Sequence, residues 1–266
     1  MTITSLPDAC ATLSQLLDEA DRVTIFTGAG LSTECGVPDF RSPNSPWMKF
    51  KPIDFDLFMS DPLMREEAWR RKFAMDDLYA HAKPGRGHRA LAGLVANGKA
   101  GAIITQNIDN LHQASGVEPG KVIELHGNGS YASCLSCGMR YELADIRVEY
   151  ERTGAGPECA SCGGPVKSAT ISFGQAMPRE AMQRARRATL ACDLFLVIGS
   201  SLVVHPAASF PLIAKENGAR LIILNGQETP LDGDADLVLR ADIGDMLDPI
   251  AKVEPSRPQV AEKTPL

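Results

Sequence analysis

The feature that most constrains this chain is a set of short, unbroken apolar runs that end in small or polar residues. They are VTIFTGAG (23–30), GAIIT (101–105), VIEL (122–125), LFLVI (194–198), RLIIL (220–224) and LVL (237–239). A strand with one wet face alternates apolar and polar residues, so unbroken runs mark strands covered on both faces, as in parallel sheets. Helical spacing fills the intervals: Leu13, Leu16 and Leu17 within residues 8–21, then residues 88–97, 179–191 and 207–217, the last interrupted by Pro211. Strand and helix in alternation predict an α/β fold built on a doubly wound parallel sheet.

Two regions break the alternation. Residues 42–84 are proline-rich and carry a charged helical stretch around 65–79, and residues 129–168 hold two CxxC pairs among glycine turns. The expected organisation is a sheet domain from residues 1–41, 85–128 and 169–253. A smaller inserted lobe is expected from a helical module (42–84) and a zinc-ribbon module (129–168). The polar, proline-rich stretch 254–266 is expected to be a disordered tail.

With 44% hydrophobic and 23% charged residues the chain has the means to bury a substantial core. Its net charge of −6 argues against nonspecific nucleic-acid binding, which needs clustered Lys and Arg, and suits a basic substrate better. The opening residues lack the basic start and apolar core of a secretory signal, and no stretch approaches the ~18 apolar residues of a membrane span. A cytoplasmic protein is expected. Of seven cysteines, four fall in CxxC pairs, which in a reducing compartment points to metal or redox chemistry before disulfides. Cys10, Cys35 and Cys192 are read as small buried apolar residues.

Cys134, Cys137, Cys159 and Cys162 form the strongest local signal. Each CxxC turn presents two thiolates to one metal, and two turns complete the four-thiolate set that zinc prefers, leaving no open position for a reacting water. The expected ion is therefore structural, and the 21 residues between the pairs imply a hairpin with an extended loop. Two redox pairs are the alternative.

The remaining motifs stand at strand ends. Gly28-Ala29-Gly30 would let backbone amides approach a pyrophosphate held at a helix N-terminus, although a tight structural turn accounts for it as well, and Thr33 stands where a third glycine would fall. In Gly36–Arg41, Asp39 and Arg41 can fix the loop or fork onto a phosphate while Phe40 covers a planar ring. Gln106, Asn107, Ile108 and Asp109 follow the second strand, as a site or as helix caps. His126 follows the third strand, where a neutral imidazole can take a proton from a hydroxyl. Its rival, His112, is placed further into a helix and read as packing, His88 and His205 as capping or packing, and His81 as exposed. Gly199-Ser200-Ser201 and Asn225 end two further strands.

The segments GAGLSTECGVPDFR (28–41), TQNIDNLH (105–112), ELHG (124–127), both CxxC pairs, ISFG (171–174), GSSLVVHPAA (199–208) and ILN (223–225) resemble, in order and spacing, the sirtuin family. The resemblance implies a Rossmann-like NAD domain, a smaller lobe with one structural zinc, and an acyl-lysine peptide threaded between them. It implies NAD-dependent protein lysine deacylation that releases nicotinamide and O-acyl-ADP-ribose. His126 would be the base, and Asn107 and Asp109 would orient the ribose and nicotinamide, with Ile108 lining the nicotinamide pocket. Gly28, Ala29, Gly30, Asp39, Phe40, Arg41, Gln106, Gly199, Ser200, Ser201, Asn225, Gly226, Gln227, Asp242 and Ile243 would hold the rest of the cofactor. Ile171, Phe173, Gly174, Val203 and Val204 would pair with the peptide. Ser200 replaces the family's usual threonine, and Gln175 a common glutamate. Residues 60–83 lack the Tyr-x-x-Arg pair of members that prefer succinyl or malonyl groups, so an apolar acyl group, acetyl first, is expected. Mono-ADP-ribosyl transfer and a noncatalytic NAD-responsive binding module are the alternatives.

Overall fold

A computed structural model of the chain describes residues 1–40, 42, 45, 46 and 51–251. Arg41 and the tail at 254–266 lie outside the described residues. The order begins β1 (Thr2–Ile3), α1 (Leu6–Glu19), β2 (Val23–Thr27), α2 (Phe55–Ser60), α3 (Pro62–Tyr79), α4 (Arg86–Ala96), β3 (Ala100–Thr105) and α5 (Leu111–Ala114). It continues β4 (Val122–Glu124), β5 (Gly127–Cys134), β6 (Arg140–Glu142), α6 (Leu143–Thr153) and β7 (Val166–Thr170). It ends α7 (Arg179–Ala191), β8 (Leu194–Ile198), α8 (Phe210–Glu216), β9 (Arg220–Leu224), β10 (Leu237–Leu239) and α9 (Ile243–Ala251).

Seven strands form one parallel sheet in the order β1-β10-β9-β8-β2-β3-β4. From β2 the chain winds outward through β3 to β4, then returns to β8 and winds the other way to β10. The reversal falls between β2 and β8, where doubly wound sheets open a ligand crevice. The unbroken runs explain themselves in the packing. Val23, Ile25, Leu194, Leu196 and Ile198 meet α1, α4 and α9 on one face, while Phe26, Phe195 and Val197 meet α7 and α8 on the other. The α/β expectation and its parallel sheet are thus met.

Three details differ from the sequence reading. The helix expected over 207–217 is a short 3-10 turn followed by α8, and Pro211 sits in the first turn of α8, where its missing N–H leaves no gap. The interval between the CxxC pairs is not an extended loop but contains β6 and α6. Little in the sequence marks α6, which buries only Ile146 fully. The two-residue β1 adds an edge beside β10.

β6, β5 and β7 form an antiparallel sheet. Trp69 and Phe73 of α3 pack with Ala132, Ile146 and Val166, and the Trp69 indole N–H donates to the Val166 carbonyl at 3.2 Å. Helical and cysteine-bearing segments therefore share one core. Among the described residues, no helix is long and apolar enough to cross a membrane.

Candidate active site

Six strand ends open onto one cleft of about 650 Å³. In sheet order its lining includes Asp242 and Ile243 after β10, Asn225, Gly226 and Gln227 after β9, and Gly199, Ser200 and Ser201 after β8. It continues with Gly28, Ala29 and Gly30 after β2, Gln106, Asn107 and Ile108 after β3, and His126 after β4. With neighbouring strands about 4.8 Å apart the six ends run about 24 Å across the winding reversal, room for an extended dinucleotide.

The two turns at the reversal are pressed together. The Gly30 N–H donates to the Gly199 carbonyl at 2.8 Å, and a Cβ on Gly28 would stand 2.7 Å from that same oxygen. Gly199 has φ +65°, and its Cβ would overlap the Leu31 nitrogen. These glycines are needed by the fold itself. No α-helix starts after them, as the sequence reading expects of a pyrophosphate turn. Two 3-10 turns, Ala29–Leu31 and Thr33–Cys35, follow instead, with the Thr33 hydroxyl bonded to the Gly30 carbonyl at 3.0 Å.

His126 lies at the β4 end of the cleft. Its Nδ1 stands 3.1 Å from the Gln106 carbonyl, which can only accept, so Nδ1 carries the proton and Nε2 keeps its lone pair. Burial pushes the His126 pKa below its ordinary 6.5, against the opposing pull of that hydrogen bond. The Gln106 side chain is held in turn by the Ser200 hydroxyl at 2.6 Å.

Asn107 and Asp109 meet at buried Ser32. The Ser32 hydroxyl donates to Asp109 Oδ2 at 2.6 Å, while Asn107 Nδ2 donates to Ser32 Oγ at 3.2 Å and to the Gly28 carbonyl at 3.1 Å. Asn107 lines the cleft. Asp109 lines a neighbouring cavity of about 390 Å³ on the other side of its loop, and Ile108 borders both. His112 is buried with Nε2 2.9 Å from the Thr27 hydroxyl, which fits its reading as packing, and desolvation drives its pKa down to about 3.

Asp39 accepts from the Ser42 N–H at 2.7 Å and the Ser42 hydroxyl at 2.5 Å, and both Asp39 and Phe40 border the cleft. Of the residues expected to pair with a peptide, Ile171, Phe173, Gly174 and Val204 line the cleft, whereas Val203 is exposed outside the lining. The Ile171 N–H donates to the His126 carbonyl at 2.8 Å and the Phe55 N–H to the Phe173 carbonyl at 2.8 Å, anchoring the loop after β7 at both ends. Sequence reasoning missed Leu31, Thr33, Glu34, Thr170, Ser172, Met177, Pro206, Ala241 and Gly244, and read His205 as capping or packing although it too borders the cleft. Thr170 and Ala241 each stand at or near a strand end, the one signal that would have found them.

The four thiols of Cys134, Cys137, Cys159 and Cys162 lie within 4.8 Å of one another, with Cys134 to Cys162 at 3.5 Å and Cys137 to Cys159 at 3.6 Å. Four sulfurs about 2.3 Å from one zinc would be spaced much like this. The Tyr141 hydroxyl donates to Cys159 Sγ at 3.1 Å, holding that thiol down to about 6, and N–H groups of Ser136 and Cys137 point at Cys134 Sγ. The donor set fits one structural zinc. Of the other cysteines Cys192 is buried as expected, while Cys10 and Cys35 are only half-buried.

The Sir2 family model matches residues 28–206. The chain is 56% identical to NAD-dependent protein deacetylase 1 of Bradyrhizobium diazoefficiens, covering 89% of this chain and 93% of that protein. It is 54% identical to an NAD-dependent protein deacetylase of Rhodopseudomonas palustris, covering 94% and 98%. Among solved structures it is similar to a Sir2 complex with p53 peptide and NAD+, at TM-score 0.79 and 38% identity, covering 90% of this chain and 95% of that one. A Sir2Tm complex with a propionylated peptide matches at TM-score 0.78 and 37% identity, covering 90% and 96%.

Proposed function

The chain belongs to the Sir2 family, and from that premise we propose that it is an NAD-dependent protein lysine deacetylase in which His126 is the base. The observation that carries this reading is the neutral, mostly buried His126 at one end of a cleft of dinucleotide length, oriented by the Gln106 carbonyl with the Nε2 lone pair open.

The reaction consumes acetyl-lysine, NAD and water and yields lysine, nicotinamide and O-acetyl-ADP-ribose. Asn107, Ile108 and His126 would hold the nicotinamide ribose of NAD, and Gly28–Gly30, Gly199–Ser201, Asn225–Gln227 and Asp242–Ile243 the rest of it. Bound there, NAD would supply an anomeric carbon for the acetyl oxygen to attack, with nicotinamide as the leaving group. His126 Nε2 would then take the proton of a ribose hydroxyl, which adds to the acyl carbon; water would add to the same carbon as its bond to the lysine nitrogen breaks, the nitrogen leaving protonated and the acetyl group staying on the ribose. Asn107, tied to Ser32 and Gly28, orients the ribose. Asp109 acts from behind the loop through the same serine.

Residues 1–41, 85–128 and 169–253 serve as the cofactor-binding part, and 42–84 with 129–168 as the zinc-bearing lobe on the other side of the peptide. The backbone from Ile171 to Gly174 adds the peptide as a strand, with Val204 opposite. Among the described residues lining the cleft none is Lys or Arg, and residues 60–83 lack a Tyr-x-x-Arg pair, which favours acetyl and longer apolar chains over an acidic acyl group. A cytoplasmic setting keeps the four zinc thiols reduced.

An acyl-peptide panel with NAD tests this reading. Acetyl peptide should be turned over with release of O-acetyl-ADP-ribose, and succinyl peptide of the same sequence at least ten times more slowly. Comparable turnover of the two would sink the acyl preference. Labelled ADP-ribose retained on protein, without O-acetyl-ADP-ribose, would replace deacetylation with ADP-ribosyl transfer.

A further inference from the structure

At the β10 end of the cleft, farthest from His126, a knot of charge lies at the surface beside the lining, with Glu34 its one mostly buried member. Arg86, the first residue of α4, reaches three acidic side chains there. Its Nε donates to Glu34 Oε2 at 3.1 Å, Nη2 to Asp242 Oδ1 at 3.4 Å, and Nη1 to the Asp245 carboxylate. Glu34 and Asp242 line the cleft, whereas Arg86 and Asp245 do not. The same acids are tied to backbone: Glu34 Oε1 accepts the Gly87 N–H at 3.1 Å, and Asp242 Oδ1 accepts the Asp245 N–H at 2.9 Å at the start of α9.

The chain leaves space for this knot. A Cβ at Gly85 would overlap Glu34 Oε1, and one at Gly244 would overlap Glu34 Oε2 and stand 2.5 Å from Arg86 Nη2. One guanidinium thus ties the Thr33–Cys35 turn to the start of α9 through the start of α4. A planar fork with five donors can face three acceptors at once, which a lysine ammonium on a flexible stem cannot do with the same geometry.

We propose that Arg86 is a positioning residue for NAD: it fixes Glu34 and the segment 242–244, so that the end of the cleft away from His126 is preformed when the cofactor arrives. This rests on the reading that the cleft takes NAD. Arg86 touches neither the reacting atoms nor the cleft, and its effect belongs in cofactor affinity. A preformed lip spares NAD the ordering of two loops on binding.

A rival account is simple charge: Arg86 would help only by offsetting acidic groups near an anionic ligand. Two variants separate them. Arg86→Lys keeps the charge and loses the fork, and Asp245→Ala removes a negative charge while breaking the knot. Positioning predicts that both raise the NAD dissociation constant and KM about threefold to tenfold, with kcat at saturating NAD within about twofold of wild type. Charge alone predicts no change for Arg86→Lys and tighter binding for Asp245→Ala.

The measurement is NAD binding by calorimetry on each full-length zinc-loaded variant, alongside acetyl-peptide kinetics. Weaker NAD binding in both variants supports the proposal, and an unchanged Arg86→Lys or a tighter Asp245→Ala overturns it. Wild type that binds NAD without deacetylating would end the functional reading and leave the calorimetric test of Arg86 intact. Wild type that binds no NAD would end both.

Discussion

Two imidazoles show how placement decides what a histidine does. His126 and His112 are both held below their ordinary pKa by burial, yet only His126 borders the cleft, and its partner is a carbonyl that leaves Nε2 open. Protonation of Nε2 removes the base, so activity should be lost as pH falls. Because the His126 pKa is lowered, the acid limb of kcat/KM for the acetyl peptide should lie below pH 6.5, and a limb above 6.5 would contradict the assignment. His112 affects stability instead. Its folded pKa of about 3 lies below the ordinary 6.5, so the unfolded chain binds the proton more readily. Its contribution is fully present above pH 6.5 and is lost on descending toward 3. Urea unfolding should show wild type losing more stability than His112→Gln as pH falls across that window, and equal losses would contradict it. His126 was legible as the residue after a strand in a series of polar strand ends. Where Asp109 sits was not, because its direction is set by a hydrogen bond to Ser32, 77 positions away.

At the scale of elements, the strands were the most legible part. Runs such as Leu194–Ile198 have no polar residue and no choice but to be covered on both sides. α6 was hidden because it rests on the small lobe with one fully buried side chain, and β1 because two residues carry no period. The glycine turns were found for only part of their reason. Gly28 and Gly199 suit a ligand, but they are required because β2 and β8 leave the sheet in contact. Gly199→Ala combines positive φ with an overlap against Leu31, so melting should show a loss on the order of 1–3 kcal/mol, with NAD binding weakened as the turns part. The cysteine ribbon was legible from spacing. Because Cys134 and Cys159 pack with Trp69 and Phe73, Cys134→Ser should lose zinc and the folded small lobe together, seen as loss of bound metal and of soluble protein. A stable metal-free variant would contradict that coupling.

For the whole molecule, the sheet order explains why distant segments meet. The winding reversal between β2 and β8 brings residues 28–30 beside 199–201, and the outer strands extend the line to His126 on one side and Asp242 on the other. Periodicity could announce a doubly wound sheet, but a line of residues from six strand ends needs the strand order, which sequence supplied only through family resemblance. The cleft joins the two ends of the proposed mechanism, the proposed cofactor lip beside Arg86 and the proposed base, His126, held by the Gln106 carbonyl. The most direct test of the account is mass detection of O-acetyl-ADP-ribose formed from acetyl peptide and NAD by wild type and by His126→Ala. Wild type should form one per acetyl group removed, and His126→Ala should fall by about a hundredfold or more with its zinc content unchanged. Undiminished O-acetyl-ADP-ribose from His126→Ala would contradict the account.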